Sequence, residues 1–369
     1  MVRSTTRLLC LVLAALCGTS GVSAQPSTTL PTVDRFDAMF GVWMKDSGVE
    51  KGTLAVAQQG RLVLERGYGG RDPNERVLLA SLSKAVTGRC VAVLIANGKL
   101  RLDSTVGDVL APFFRQHGEP ADARLKAVTV EQLLVHRGGF ATAPRDLMTP
   151  PAVALLEKKT PGATEPAELL AATLTAPLAT APGEAFAYSN IGYLVLGVMI
   201  ETITGEGYER FCGREVLEAA GIKAPQLDTQ WRSFSSFGGW RLNGAEYLAF
   251  LARTPDTLLS DTRPSRAATG APAGLTPAWY ALGQFTANLA PDARIAWHTG
   301  SWGVAPDTVG MQVVQHQSGT SWFVWYSPRP GKDATDTLLE RMAALPPRIV
   351  AWPERDLFPE RGLALPSAK

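Results

Sequence analysis

The sequence predicts an α/β fold of two lobes: an antiparallel sheet built from both chain ends and flanked by helices, beside a mostly helical lobe. Three observations carry this. Two runs about a Gln59-Gly60 turn read as strands at 53–67, and short strands rich in β-branched and aromatic residues come after 280. Helix-period apolar patches and long Pro/Gly loops fill the stretch between. Helical patterns near both termini supply cover for a sheet. No Gly/Ser linker divides the chain, so 25–369 reads as one domain. The sheet lobe spans about 25–80 and 280–345 and the helical lobe about 81–279.

The elements follow in order. Val33, Phe36, Phe40 and Trp43 recur every three or four residues, which predicts an amphipathic helix. Thr53 to Gln58 and Leu62 to Gly67 read as strands about a Gln59-Gly60 turn. Leu82, Val86, Cys90 and Val93 form a helical stripe that Gly98 ends. Helical patches follow at Val130 to Val135 and Tyr193 to Ile203. Tyr280 to Thr286, Gly310 to His316 and Ser321 to Ser327 read as strands, with Gln317 to Thr320 as a turn. Thr335 to Met342 reads as a last helix, and the Pro-rich tail beyond Pro346 as a surface wrap.

The first residues read as an export signal. Arg3 and Arg7 precede the apolar run Leu8 to Leu16, and Val22-Ser23-Ala24 offers small residues for cleavage after Ala24. A lipid anchor on Cys17 is disfavoured by the bulk of Leu16. The expected location is the periplasm or outside the cell, with no integral membrane segment after processing. Cleavage removes two of 36 basic residues against 34 acidic ones, leaving a chain near neutral. Such a balance supplies no field for nucleic acid. The four histidines and the remaining Cys90 and Cys212 show no metal-ligand spacing, so neither metal nor cofactor is expected. Cys90 lies on an apolar helix side and is expected as a buried free thiol, although export permits a disulfide.

Three short strings carry the chemistry. In Ser81-Leu82-Ser83-Lys84 the serine and lysine are three apart, on one helix face. Ser81 needs a base to become a nucleophile, and Lys84 serves only if burial lowers its pKa. Ser83 competes as a helix cap. In Tyr188-Ser189-Asn190, Tyr188 would relay a proton among Ser81, Lys84 and the leaving group. It acts as a base only if adjacent cations stabilise the phenolate. Asn190 can accept from Lys84 and donate to a substrate carbonyl. His298-Thr299-Gly300-Ser301 precedes a late strand. There Gly300 would admit a substrate to the strand edge, and the Ser301 and Ser81 N–H groups would form an oxyanion hole. Thr299 and Trp302 complete the expected binding residues; Trp297 and Trp302, flanking the motif, are equally readable as acyl pocket or core.

The order and spacing of these strings resemble the penicillin-recognising serine hydrolase family: class C β-lactamases, D-alanyl-D-alanine carboxypeptidases and family VIII-like esterases. The segment Glu131 to Gly139 is similar to the family's Leu-Leu-x-His-x-Ser-Gly stretch, although Arg137 and Gly138 depart from it. Asn97 to Asp103 and Ser236 to Phe250 resemble two further stretches. The resemblance implies a β-lactamase/transpeptidase-like fold. It assigns catalysis to Ser81, Lys84, Tyr188, Asn190 and His298. His298 stands where class C β-lactamases usually have lysine; neutral histidine offers a hydrogen bond where lysine offers a fixed charge. The expected activity is therefore a Ser81 acyl-enzyme hydrolase of small esters or D-amino-acid amides and peptides, peptidoglycan-derived ones included. β-Lactam hydrolysis ranks lower, and a non-catalytic peptidoglycan-binding protein is the alternative from another class. Nothing in the chain sets its oligomeric state.

Overall fold

The computed structural model describes residues 32–142, 146–147, 149–254, 267–290, 293–304 and 306–363. The expected export signal, its expected cleavage site and Cys17 lie outside them.

Helix α1 (Asp34–Asp46) buries Phe36, Phe40, Trp43 and Met44. Strands β1 (Lys51–Gln58) and β2 (Arg61–Tyr68) form a hairpin. Its turn is Gln59-Gly60, both at positive φ. The short strand β3 (Val77–Leu78) leads into helix α2 (Ser83–Ala96). Helix α3 (Val130–Leu134) opens on a Thr129/Gln132 capping box. Helix α4 (Asn190–Thr204) ends at Gly205 in the left-handed region. Strands β4 (Gln226–Leu227) and β5 (Trp240–Leu242) join β3 in a small sheet ordered β3-β5-β4. Helix α5 (Gly244–Arg253) follows an Asn243/Glu246 capping box.

The C-terminal part supplies β6 (Ala267–Ala268), β7 (Ala278–Ala281), β8 (Gln284–Ala290), β9 (Ala293–Val304), β10 (Asp307–His316) and β11 (Thr320–Ser327). Helix α6 (Lys332–Ala343) closes it. The main sheet runs β2-β1-β11-β10-β9-β8-β7-β6. The pairing Leu54↔Val324 joins the two chain ends, as the strand-rich termini predict.

Side-chain alternation gives the sheet two buried faces. On β10, Val314 packs with Phe36, Phe40, Trp322, Leu338 and Met342 under α1 and α6. Met311 and Val313 join Leu82, Val86, Phe250 and Phe323 on the face covered by α2 and α5. Each such side chain contributes about 1.5–3 kcal/mol on burial. Helix α2 is wrapped on nearly every side: Ser83 to Val91 are all buried.

Four expectations are corrected. Tyr280 to Thr286 is a hairpin instead of one strand, because Leu282 and Gly283 both take positive φ (47° and 78°). The turn presses onto α2: a Cβ on Gly283 would lie 2.2 Å from the Lys84 carbonyl carbon, and one on Gly88 would lie 2.7 Å from Leu282. The string His298-Thr299-Gly300 precedes β10 but lies inside a strand of its own, β9, which was not expected. Cys90 is no free thiol; it is bonded to Cys212, tying α2 to the helix Tyr208–Cys212. The tail does more than wrap the surface. Phe358 and Leu363 are buried, and Leu357 N–H donates to the Leu62 carbonyl (2.8 Å).

Candidate active site

The turn before α2 presents Ser81. Ala80 holds φ 45°, a left-handed conformation that costs a non-glycine residue about 1–3 kcal/mol. The strain is held by neighbours. Leu79 N–H donates to the Trp240 carbonyl (2.8 Å), and Tyr247 Oη donates to the Leu82 carbonyl (2.9 Å). Ser81 is half-buried, whereas Ser83 is fully buried and its Oγ accepts from Trp240 N–H (3.1 Å). Ser83 is thus committed to structure, and it does not cap α2.

Lys84 is completely buried. Its Nζ lies 2.6 Å from Asn190 Oδ1, 3.2 Å from the Phe237 carbonyl and 3.3 Å from Ser81 Oγ. Burial lowers its pKa to about 7, with the Asp146 carboxylate opposing the shift. The neutral amine has two N–H bonds and one lone pair. Asn190 Oδ1 and the Phe237 carbonyl can only accept, so they take the two N–H bonds. The lone pair is left for the Ser81 proton. Nothing in the sequence marks the Phe237 carbonyl, since any residue supplies one.

Tyr188 is half-buried with its hydroxyl shielded and unpartnered. Its ring packs on His136 (centroids 4.4 Å apart), and Lys84 Nζ stands 5.0 Å from its centre. Burial raises its pKa; the nearby Ser81 side chain offsets this in part, although no direct hydrogen bond joins them, and Asp146 adds to the rise. The condition set for a basic phenolate is therefore not met in this state: Tyr188 holds its proton more tightly than a free tyrosine.

Asn190 is fixed by the start of α4. Ser189 N–H donates to His136 Nδ1 (3.2 Å). Asp146 accepts from Ser189 Oγ (2.7 Å), Asn190 N–H (2.8 Å) and Ile191 N–H (3.3 Å). His136 stood in a segment the sequence singled out, but no spacing flags Asp146.

His298 is buried on β9. Its Nδ1 lies 2.6 Å from the Thr299 carbonyl, an acceptor only, so Nδ1 carries the hydrogen. Burial, then the Lys84 charge, lowers its pKa to about 3. Nε2 is therefore a shielded lone pair without a partner, in a ring 5.9 Å from that of Tyr188.

Strand β8 pairs with β9 only as far as Trp297, while β10 pairs along its whole far side. Among the described residues, the edge from His298 onward has no strand neighbour there. Thr299 and Ser301 are exposed on this stretch. Gly300 departs from its expected reason: a Cβ there would meet the Leu79 carbonyl at 2.8 Å and Leu82 at 3.0 Å. Its missing side chain admits the Ser81 turn, which brings Ser81 and Ser301 beside one edge. The two tryptophans separate. Trp297 is core, stacked on Phe285 (5.5 Å). Trp302 is half-exposed and meets the Trp231 ring edge-on at 4.0 Å.

The Beta-lactamase family profile matches residues 36–310. The chain belongs to the beta-lactamase family. Protein flp of Staphylococcus aureus strain MW2 is 26% identical over 202 residues, covering 52% of this chain and 38% of that protein. The chain thus spans less than two fifths of that curated relative. Among solved structures, the D-amino acid amidase of Ochrobactrum anthropi has a TM-score of 0.66 at 14% identity, covering 85% of this chain and all of that one. A class C beta lactamase of Rhodobacter sphaeroides has a TM-score of 0.62 at 14% identity, covering 84% and 99%. These likenesses give the beta-lactamase/transpeptidase-like fold. Among the described residues no helix is long and apolar enough to cross a membrane.

Proposed function

We propose that this chain is a serine hydrolase working through a Ser81 acyl-enzyme on small neutral esters or D-amino-acid amides. The observation that carries the reading is a buried Lys84, poised near neutrality with Ser81 Oγ at 3.3 Å. Neutral Lys84 takes the Ser81 proton as Oγ bonds to the substrate carbonyl carbon. The oxygen, now an anion, is held by the Ser81 and Ser301 N–H groups. Tyr188 passes its proton to the leaving group, and the Lys84 ammonium restores it. Water then attacks the acyl-enzyme carbonyl with Lys84 as base again, and the Lys84 ammonium returns the proton to Ser81 Oγ as its bond to the acyl carbon breaks and the acid is released. Asn190 holds Lys84 and offers its amide to the substrate, while Thr299, Gly300 and Trp302 line the edge along which it lies.

Substrate class follows from charge and surface. Neutral His298 gives no fixed cation for a substrate carboxylate, which places β-lactams below esters and D-amino amides. The half-exposed Trp302–Trp231 pair offers an apolar wall for an acyl or leaving group. A location outside the cytoplasm is supported by the pattern of residues 1–24 and by a Cys90–Cys212 bridge, which an oxidising compartment maintains.

The test is mass spectrometry after incubation with p-nitrophenyl esters, D-Ala-D-Ala peptides, D-amino amides, a chromogenic cephalosporin and a fluorophosphonate. An adduct on Ser81 is expected, with turnover of an ester or a D-amino amide. Absence of every adduct would favour a non-catalytic binding protein on this scaffold.

A further inference from the structure

We propose that Asp146 is a positioning residue for this reaction: its carboxylate holds the Tyr188–Asn190 turn in the register that aims Asn190 Oδ1 at Lys84. The inference rests on the proposed Ser81/Lys84 chemistry. Asp146 Oδ1 accepts from Ser189 Oγ (2.7 Å) and Ile191 N–H (3.3 Å), and Oδ2 accepts from Asn190 N–H (2.8 Å). His136 Nδ1 takes Ser189 N–H (3.2 Å). Three successive N–H groups are thus bound by side chains from elsewhere. Helix capping alone does not need this, because Ser189 Oγ already accepts from Ile191 N–H (3.1 Å). The backbone at Asn190 is fixed by Asp146, and the side chain of the same residue meets Lys84 Nζ at 2.6 Å.

The carboxylate has a second effect. Lys84 is faced by Ser81, Tyr188 and Tyr193 and by Asn190 and Phe237, and its charge also acts on His136 and His298. Burial keeps both histidines neutral and both tyrosines protonated. Of the described groups acting on Lys84, Asp146 alone brings a negative charge, and it raises the lysine against the effect of burial. It therefore raises the share of Lys84 that is protonated at a given pH, against the larger effect of burial.

The experiment compares the pH profile of kcat/KM for a neutral ester in wild type, Asp146→Asn, Asp146→Glu and Ser189→Ala. Asp146→Asn should lower the plateau by about tenfold or more and move the acid limb to lower pH, since the charge is gone and an amide N–H cannot accept. Ser189→Ala keeps the carboxylate; it should lose only a few-fold and leave the limb in place. Asp146→Glu should keep the limb and lose plateau, because the longer side chain shifts the turn. A wild-type limb in Asp146→Asn would overturn the proposal, as would a wild-type plateau in Asp146→Glu should Asp146→Asn not fold. Fluorophosphonate labelling of wild-type Ser81 separates this from the parent reading: no labelling sinks the hydrolase, whereas labelling with unmoved profiles sinks only Asp146.

Discussion

Asn190 Oδ1 sits 2.6 Å from Lys84 Nζ across 106 residues of sequence. The contact lets a buried amine be useful. Lys84 gives its two N–H bonds to Asn190 and to the Phe237 carbonyl, and its remaining lone pair faces the serine.

The pH profile should report Lys84. Its pKa of about 7 predicts that kcat/KM for a neutral ester rises with pH through about 7, as the amine loses its proton. His298, held near 3, is neutral throughout and adds no step near its ordinary value of about 6.5. His298→Gln should leave the midpoint within a few tenths of a unit, read from kcat/KM between pH 5 and 9. A midpoint that vanishes with the histidine would return the limb to His298.

Stability should carry the same signature. The folded pKa of Lys84 lies below its unfolded value of 10.5, so between about 7 and 10.5 the unfolded chain binds the extra proton. Stability from this group rises with pH through that window and is lowest below 7. Lys84→Met should remove this slope, narrowing the stability difference from wild type by on the order of 2–3 kcal/mol between pH 7 and 9. Urea unfolding of both proteins at the two pH values measures it. Activity should fall at least about 10²-fold.

Ser81→Ala should abolish the fluorophosphonate adduct and leave the melting temperature close to wild type. Ser83→Ala should do the reverse. It strands the Trp240 N–H, at a cost of about 1–3 kcal/mol, and retains the adduct. Intact-mass analysis and thermal melts of both variants distinguish the roles.

His298→Lys places a cation where the wild type has a neutral ring. It should improve kcat/KM for an anionic substrate such as a cephalosporin relative to a neutral ester, and lower the Lys84 midpoint through like-charge repulsion. Equal responses of the two substrates would remove residue 298 from the specificity argument.

The sheet built from both ends was legible because a Gln59-Gly60 turn separates the early strands and the late ones are rich in β-branched and aromatic residues, and the three strings because the chemistry demands residue types at short spacing. What stayed hidden depends on placement in space. Asp146 reaches Asn190 over 44 residues, and the Phe237 contribution is a backbone atom. Cys90 and Cys212 meet over a separation of 122. The β7–β8 hairpin was obscured because its turn is Leu282-Gly283, and a leucine at positive φ is no turn signal. The protonation of Tyr188 was hidden for a related reason: the burial that raises its pKa comes from packing that residue order alone does not show.

That hairpin has a consequence of its own. At Gly283 and Gly88, turn and helix meet backbone to backbone, with no side chain between them to yield. The turn thus works as an abutment. It sets how far the first turn of α2 stands from the sheet beside it, and so limits the width of the gap by steric contact between backbones. An enzyme gauged in this way can let its outer loops and rim aromatics drift toward new substrates while the nucleophile stays at the same depth. An alanine at 283 should widen the gap itself, an error that no adjustment of the rim would correct.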